Sequence, residues 1–423
     1  MVVARVDRNS VDPLRTLLST MNHAPGRVNP SNSLVPFGLL ENLHFARFLI
    51  LDDQTLDDVR MYGLPRQEYP TYLAFLCDFD GSPEEFLNDL LKCAESGLRR
   101  VFSFCHTFTA NTDLRQWIQE HHVPIATRYV NWRGRTVKQV REEVKLRQIL
   151  GTYLRSNFHL VENETAEQVR LHLRKFVQAE RAAGRLTLTP PEPTPWSMQI
   201  RNAAHFIGVG LLIILSLPFA ALLVLFRIRS LERSDPEFAP RPAPEDAGRL
   251  SILEDHSVSN QFSAMGSLKP GLARRWIASY VLWVIDWTAR HVYTTGRLAR
   301  VRTIHFARWV FLDGKRRILF ASNYDGSLES YMDDFINKVS FGLNVVFGNG
   351  IGYPATRWLL ADGANDEQKF KYFLRRHELP TEVWYNAHAD MTAVELEKNS
   401  RIRQSLEAAT LTAEAACQWV ELL

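Results

Sequence analysis

The sequence predicts an α+β protein: tandem ferredoxin-like modules forming an intramolecular pseudo-dimer, with a helical membrane region inserted between them. Three observations lead there. A block of residues near the start recurs, in order, near the end. Short apolar runs alternate with helical stripes in both blocks. A long uncharged apolar segment separates them.

The repeat is the strongest of these. Leu43-His44-Phe45-Ala46-Arg47-Phe48 with Leu51-Asp52 matches Ile304-His305-Phe306-Ala307-Arg308-Trp309 with Leu312-Asp313. Phe79-Asp80-Gly81-Ser82, Gly97-Leu98 and Val101-Phe102 match Tyr324-Asp325-Gly326-Ser327, Gly342-Leu343 and Val346-Phe347. His121, Pro124, Tyr129, Thr136 and Arg147-Gln148 match His377, Pro380, Tyr385, Thr392 and Arg403-Gln404. Spacing is constant within each block and shifts only between blocks, as loop insertions require. Such a pattern marks a duplication.

Each copy reads as strand, strand, helix, strand, helix, strand, helix. His44 to Leu51 and Thr71 to Asp78 are short and rich in Phe, Leu, Tyr and Ile, as buried strands are. Asp80-Gly81-Ser82 makes a turn; Ser82 with Glu85 gives a capping box, and Pro83 suits the first helical position. Phe86, Leu87, Leu90 and Leu91 supply the apolar stripe. Gly97 is expected to end this helix, and Arg100 to Cys105 to form a third strand. A helix over Thr112 to His121, a strand over Ile125 to Tyr129 and a charged helix over Val137 to Leu150 complete the unit. Two such sandwiches can pair sheet to sheet; two independent domains are the alternative. The expected domains are a first module over 1–155, a helical and Pro-rich connector over 156–200, a membrane-associated region over 201–300 and a second module over 301–423.

The segment Ala203 to Phe226 carries no formal charge over 24 residues, enough to cross a hydrocarbon core of ~30 Å as a helix. Its 15 Leu, Ile, Val and Phe residues favour insertion by about −5 to −9 kcal/mol before penalties. Trp276 to Tyr293 is a weaker stretch, interrupted by Asp286 and Arg290, which are spaced to pair on one helix face. Paired modules must share one side of the membrane. Either both segments cross, or the first bends into a re-entrant hairpin near Ser216-Leu217-Pro218. The expected location is the inner membrane with both modules on the cytoplasmic side.

At 423 residues, 46% apolar and 23% charged, the chain has the composition of a folded protein of two or three domains. A net charge of +3 argues against a dedicated nucleic-acid binder, which concentrates basic residues on one face. The expected partners are a lipid bilayer and a small molecule of unknown identity, with self-association compatible. The cysteines Cys77, Cys93, Cys105 and Cys417 form no C-x-x-C pair and no zinc spacing, so buried free thiols in a reducing compartment are expected. The N-terminus lacks the apolar run of a cleavable signal peptide.

Residues that recur in both copies are the candidates for chemistry. His305, Arg308 and Asp325 form the candidate catalytic set, and His305 and His44 the candidate cofactor ligands; no metal site is assigned. Alternation along a strand places His44 and Arg47, or His305 and Arg308, on opposite faces. A histidine there serves as haem or metal ligand or proton shuttle, or as a core residue bonded to backbone. Asp80 and Asp325 are acid/base groups or turn formers. His121 and His377 end helices before a proline, where a cation suits the helix dipole. Gly348-Asn349-Gly350-Ile351-Gly352 could cradle phosphate but fits no full motif.

From Glu254-Asp255-His256, Asn260-Gln261-Phe262-Ser263 and Lys269-Pro270-Gly271 to the end of the second copy, the sequence resembles an uncharacterised bacterial membrane-protein family. The marks include Ile304 to Trp309, Ser322-Asn323-Tyr324-Asp325-Gly326-Ser327, Asp366-Glu367-Gln368 and Val383-Trp384-Tyr385. That family implies no activity. More distantly, the paired modules resemble the dimeric α+β barrels of dye-decolourising peroxidases and chlorite dismutases. That resemblance implies haem as the candidate cofactor, a catalytic acid in a G-x-x-D-G turn and a haem-ligating histidine in the second module. Ala321 to Gly326 keeps the Asp-Gly and lacks the leading glycine, and no downstream histidine is marked as the ligand. Two functions follow: a membrane-anchored binding or scaffold protein, or a membrane-associated, haem-dependent oxidoreductase. Whether the chain is an enzyme stays open.

Overall fold

The computed structural model describes residues 1–423 and is mixed α+β, with two four-stranded antiparallel sheets. The sheet strands are β1 (Val2–Val6), β2 (Leu43–Leu51), β3 (Thr71–Phe79), β4 (Thr127–Val130), β5 (Ser259–Ser267), β6 (Ile304–Leu312), β7 (Arg317–Asp325) and β8 (Thr381–Asn386). The first sheet has the order β1-β3-β2-β8 and the second β4-β6-β7-β5. Each sheet therefore takes its outermost strand beside β2 or β6 from the other half of the chain. The two exchanged strands dock in matching register: Tyr129 lies opposite Ala307, and Tyr385 opposite Ala46.

Alternation along β2, β3, β6 and β7 divides their side chains between two faces. Leu49, Leu51, Ala74 and Leu76 meet Val310, Leu312, Leu319 and Ala321 in a core between the sheets. On its other face the first sheet presents Ala46, Phe48, Ile50 and Phe75 to helices α1 (Val11–Ser19), α2 (Pro83–Phe102) and α3 (Leu114–Glu120). The numbering continues with α4 (Val137–Ser156), α5 (Ala166–Ala182), α6 (Trp196–Ser234), α7 (Leu272–His291), α8 (Leu328–Phe347) and α9 (Glu367–His377). The second sheet presents Ala307, Trp309, Ile318 and Phe320 to α7, α8 and α9.

Ser82 and Glu85 form the expected capping box at the start of α2, with Pro83 in the first turn. Gly97 does not end that helix, and Arg100 to Cys105 is not a strand. The buried stripe continues through Leu90, Ala94, Leu98, Val101 and Phe102, a helical period that a strand could not present. The glycine serves a close approach: a Cβ there would sit 1.9 Å from the Leu34 carbonyl oxygen. α8 is equally long, with a non-helical residue inside it at Val339 (φ −148°, ψ 33°).

The expected hairpin near Pro218 is absent. α6 runs unbroken from Trp196 to Ser234, with π-helical turns over Leu223–Ile228. One proline removes a single donor, and the chain continues past it. By length and composition this one helix could cross a membrane, and only 6% of its most apolar window is buried. The stretch Trp276 to Tyr293 is not a second free span. It lies almost wholly in α7, whose Ala278 and Leu282 enter the core of the second sheet, while the Thr127 hydroxyl donates to the Leu282 carbonyl (2.6 Å). Asp286 and Arg290 do not pair: one accepts from the Arg128 N–H (3.4 Å), the other donates to Asn202 (2.8 Å).

The chain divides into two compact units. One comprises Met1–Trp132 with Thr194–Asp390, the other Arg133–Pro193 with Met391–Leu423. The second is purely helical in its regular elements: α4, α5, α10 (Ala393–Glu407) and α11 (Ala413–Val420) bury Leu146, Leu150, Leu173, Ile402 and Trp419 together. Capping boxes at Thr136, Thr165 and Thr392 fix where three of these helices begin.

Candidate functional site between the sheets

A register shift separates Leu43 from Phe45 in the β2–β3 ladder, and another separates Ile304 from Phe306 in the β6–β7 ladder. The extra residue of each bulge is a histidine, His44 or His305. A bulge re-aims the side chains beside it, so strict alternation fails. Each histidine looks into the inter-sheet space, as do Arg47 and Arg308, and the expectation of opposite faces is wrong. The contacts are reciprocal: His44 meets Phe306 and His305 meets Phe45, each at 5.7 Å between ring centroids. Phe45 and Phe306 touch edge to face at 5.2 Å, and Trp384 stacks on Phe45 at 5.4 Å.

His305 and Asp325 come together. His305 Nε2 lies 2.6 Å from Asp325 Oδ1 and 3.1 Å from Ser259 Oγ, and the serine donates to the same carboxylate oxygen at 2.8 Å. These are the residue types of a serine hydrolase relay without its geometry. A relay needs one ring nitrogen on serine and the other on aspartate; here one nitrogen faces both. In the first half, His44 Nε2 lies 3.0 Å from Asp80 Oδ1, and His44 Nδ1 lies 3.3 Å from His388 Nε2. Neither Ser259 nor His388 belongs to the repeated motifs, so nothing in the sequence singled them out.

Arg308 is not part of the His305–Asp325 cluster. It crosses to the first sheet and pairs with Asp78. Arg47 makes the mirror crossing to the second sheet. It donates to the carbonyls of Phe262 (3.0 Å) and Ser322 (2.9 Å), to Ser263 Oγ (2.8 Å) and to Asn323. Burial, followed by the nearby Arg308 cation, pulls the Arg47 guanidinium down to about 9.

Haem does not fit these residues. An axial ligand needs a ring nitrogen free to face an open pocket, whereas His305 Nε2 is shared by Asp325 and Ser259 and its side chain is 5% exposed. His44 has partners on both nitrogens.

The other sequence candidates are structural. His121 and His377 each bond a carbonyl four residues back through Nδ1, at 2.8 Å. His377 is not the expected cation, because burial lowers its pKa. The loop Gly348 to Gly352 is buried and offers carbonyls: Lys269 Nζ donates to the Gly348 oxygen (3.0 Å), so it is no phosphate cradle. Cys77 and Cys105 are pushed up to about 12 by burial, and Cys417, contrary to expectation, is exposed.

The fold and site define a mixed α+β protein with a buried polar seam between two sheets and one long apolar helix on its surface. No protein-family model, curated protein or solved structure matches the chain.

Proposed function

We propose that the chain is a membrane-attached binding protein made of two ferredoxin-like modules, and that α6 holds it on the bilayer by its side. The duplication is supported by the matched bulges at His44 and His305, the reciprocal His–Phe contacts and the exchanged strands β4 and β8. The observation that carries the attachment is the two-sidedness of α6. One side runs along α7 from Asn202–Arg290 through Phe206–Trp287 and Ser216–Tyr280 to Ala220 and Ile228 against Ile277 and Val281. The other leaves Ile214, Leu215, Phe219 and Phe226 at 68–73% exposure. A perpendicular crossing would drag α7 and the second sheet into hydrocarbon, where open sheet edges are not tolerated. Lying in the interface buries the same apolar side without that cost.

Both modules then share one membrane face. Four unpaired cysteines support the cytoplasmic face of an inner membrane. Liposome flotation of the full chain tests attachment. Leu215→Glu with Phe219→Glu abolishes flotation and keeps the circular dichroism spectrum. Maleimide labelling of Arg201→Cys and Arg227→Cys, in a chain lacking Cys417, comes from one side for a helix lying flat and from opposite sides for a crossing. The haem-dependent alternative gains nothing from the packing around His305; a Soret band in the purified chain would restore it.

A further inference from the structure

We infer that the space between α7, α8 and the second sheet is a binding site for a single apolar chain carrying an anionic head, drawn from the adjacent membrane leaflet. The inference rests on the membrane-attached reading. The cavity measures about 290 Å³ and is walled by Trp309 and Phe320 of the sheet, Ile285 of α7, and Met332, Phe335 and Leu343 of α8. Protein cores are packed with few voids larger than a water molecule. A space of this size with an almost wholly apolar lining suits a hydrocarbon chain.

The cavity has an opening, and it is charged. Tyr293, Ala299, Val339 and Phe341 border both the cavity and a wider groove of about 620 Å³, on whose rim stand Arg297, Arg300 and Lys338. Lys338 is paired with Asp334 at 2.7 Å, whereas Arg297 and Arg300 are exposed and in no ion pair. Val339, the residue at which α8 departs from helical geometry, stands where cavity and groove meet. Gly342 follows on the cavity side, where a Cβ would find only Val339 Cβ, at 3.9 Å. Apolar depth behind a cationic rim is complementary to an amphiphile: the tail leaves water, and the head meets two unpartnered guanidiniums.

The placement points to the membrane as the source. The groove starts at Val292 and Tyr293, directly after the last turn of α7. That turn is tied to the polar start of α6, with His291 Nε2 2.8 Å from His205 Nδ1 and Arg290 bonded to Asn202. Arg297 and Arg300 therefore stand near the end of the apolar helix, at the depth of lipid headgroups if α6 lies in the interface.

The test uses the full chain with dansyl-undecanoic acid as a fluorescent probe, displaced by dodecyl phosphate, dodecanol or inorganic phosphate. The expected result is blue-shifted probe emission, displaced by dodecyl phosphate at least about tenfold better than by dodecanol and not at all by inorganic phosphate. Gly342→Phe, which fills the cavity, weakens probe binding at least about tenfold. Arg297→Glu with Arg300→Glu weakens dodecyl phosphate and leaves dodecanol unchanged. Mass spectrometry of gently released ligand separates the sources: a membrane lipid supports the inference, and a soluble fatty acid alone overturns its leaflet origin. Equal probe binding by wild type and Gly342→Phe overturns the site. Flotation of the same variants keeps the two readings apart. A chain that floats without binding the probe refutes the cavity alone; a chain that binds without floating refutes the attachment.

Discussion

Arg308 of β6 pairs across the inter-sheet core with Asp78 of β3, while its counterpart Arg47 meets Asn323 where the second half lacks the carboxylate. Arg47 thus bonds only neutral oxygens, and Arg308 alone holds the carboxylate. Asp78→Asn is expected to cost about 3–5 kcal/mol, because it leaves the buried Arg308 cation without its carboxylate. Adding Asn323→Asp to that variant recovers part of the loss by moving the carboxylate to Arg47. Denaturation midpoints of the two single variants and the double variant measure the coupling.

Two adjacent residues tilt stability in opposite directions with pH. Burial lowers the His377 pKa below its ordinary 6.5. The unfolded chain therefore takes up a proton below pH 6.5 that the folded chain resists, and stability falls as pH drops from there. Glu378 is raised well above 4.5 by burial and the nearby Glu254 carboxylate. Above pH 4.5 the folded chain keeps a proton that the unfolded chain releases, so this contribution falls as pH climbs towards the raised pKa. His377→Gln should flatten the acid slope of a plot of Tm against pH, and Glu378→Gln the rising-pH slope.

The paired glycines separate by environment. Gly97→Ala should cost about 3 kcal/mol, since its Cβ would enter the Leu34 backbone. Gly342→Ala should be neutral or stabilising by up to about 1 kcal/mol, from helix propensity alone. Thermal unfolding of the two variants reads the contrast directly.

Phe45→Ala is expected to cost about 3–5 kcal/mol, because Phe45 fills the space among His305, Phe306 and Trp384. The hole would also admit water to His305. Denaturation midpoints of the wild type and the variant measure the loss.

The sequence makes the long apolar strands and the capped helices easy to see, and β2, β3, β6 and β7 carry the pattern strongly. β1 is too short to stand out. β5 reads as polar because Ser259, Asn260, Gln261 and Ser263 are buried and bonded within the fold. The site was half visible. Shared motifs bring out His305 with Asp325, but the bulges that turn both histidines inward leave no mark in a one-dimensional pattern. The carboxylate that takes Arg308 lies in the other half of the chain, a distance no local spacing encodes. The exchange of β4 and β8 was hidden for the same reason, since a strand's sequence does not name its neighbour.

That exchange has a consequence in time. β2 is made early, yet its neighbour β8 begins at Thr381, about 330 residues later. At ~5–20 residues per second, roughly 15–65 s of synthesis separate them. Through that interval the edge of β2 is unsatisfied, a state that invites mispairing. The apolar helix α6 emerges within it, so the nascent chain has the means to reach a bilayer before its first sheet can close.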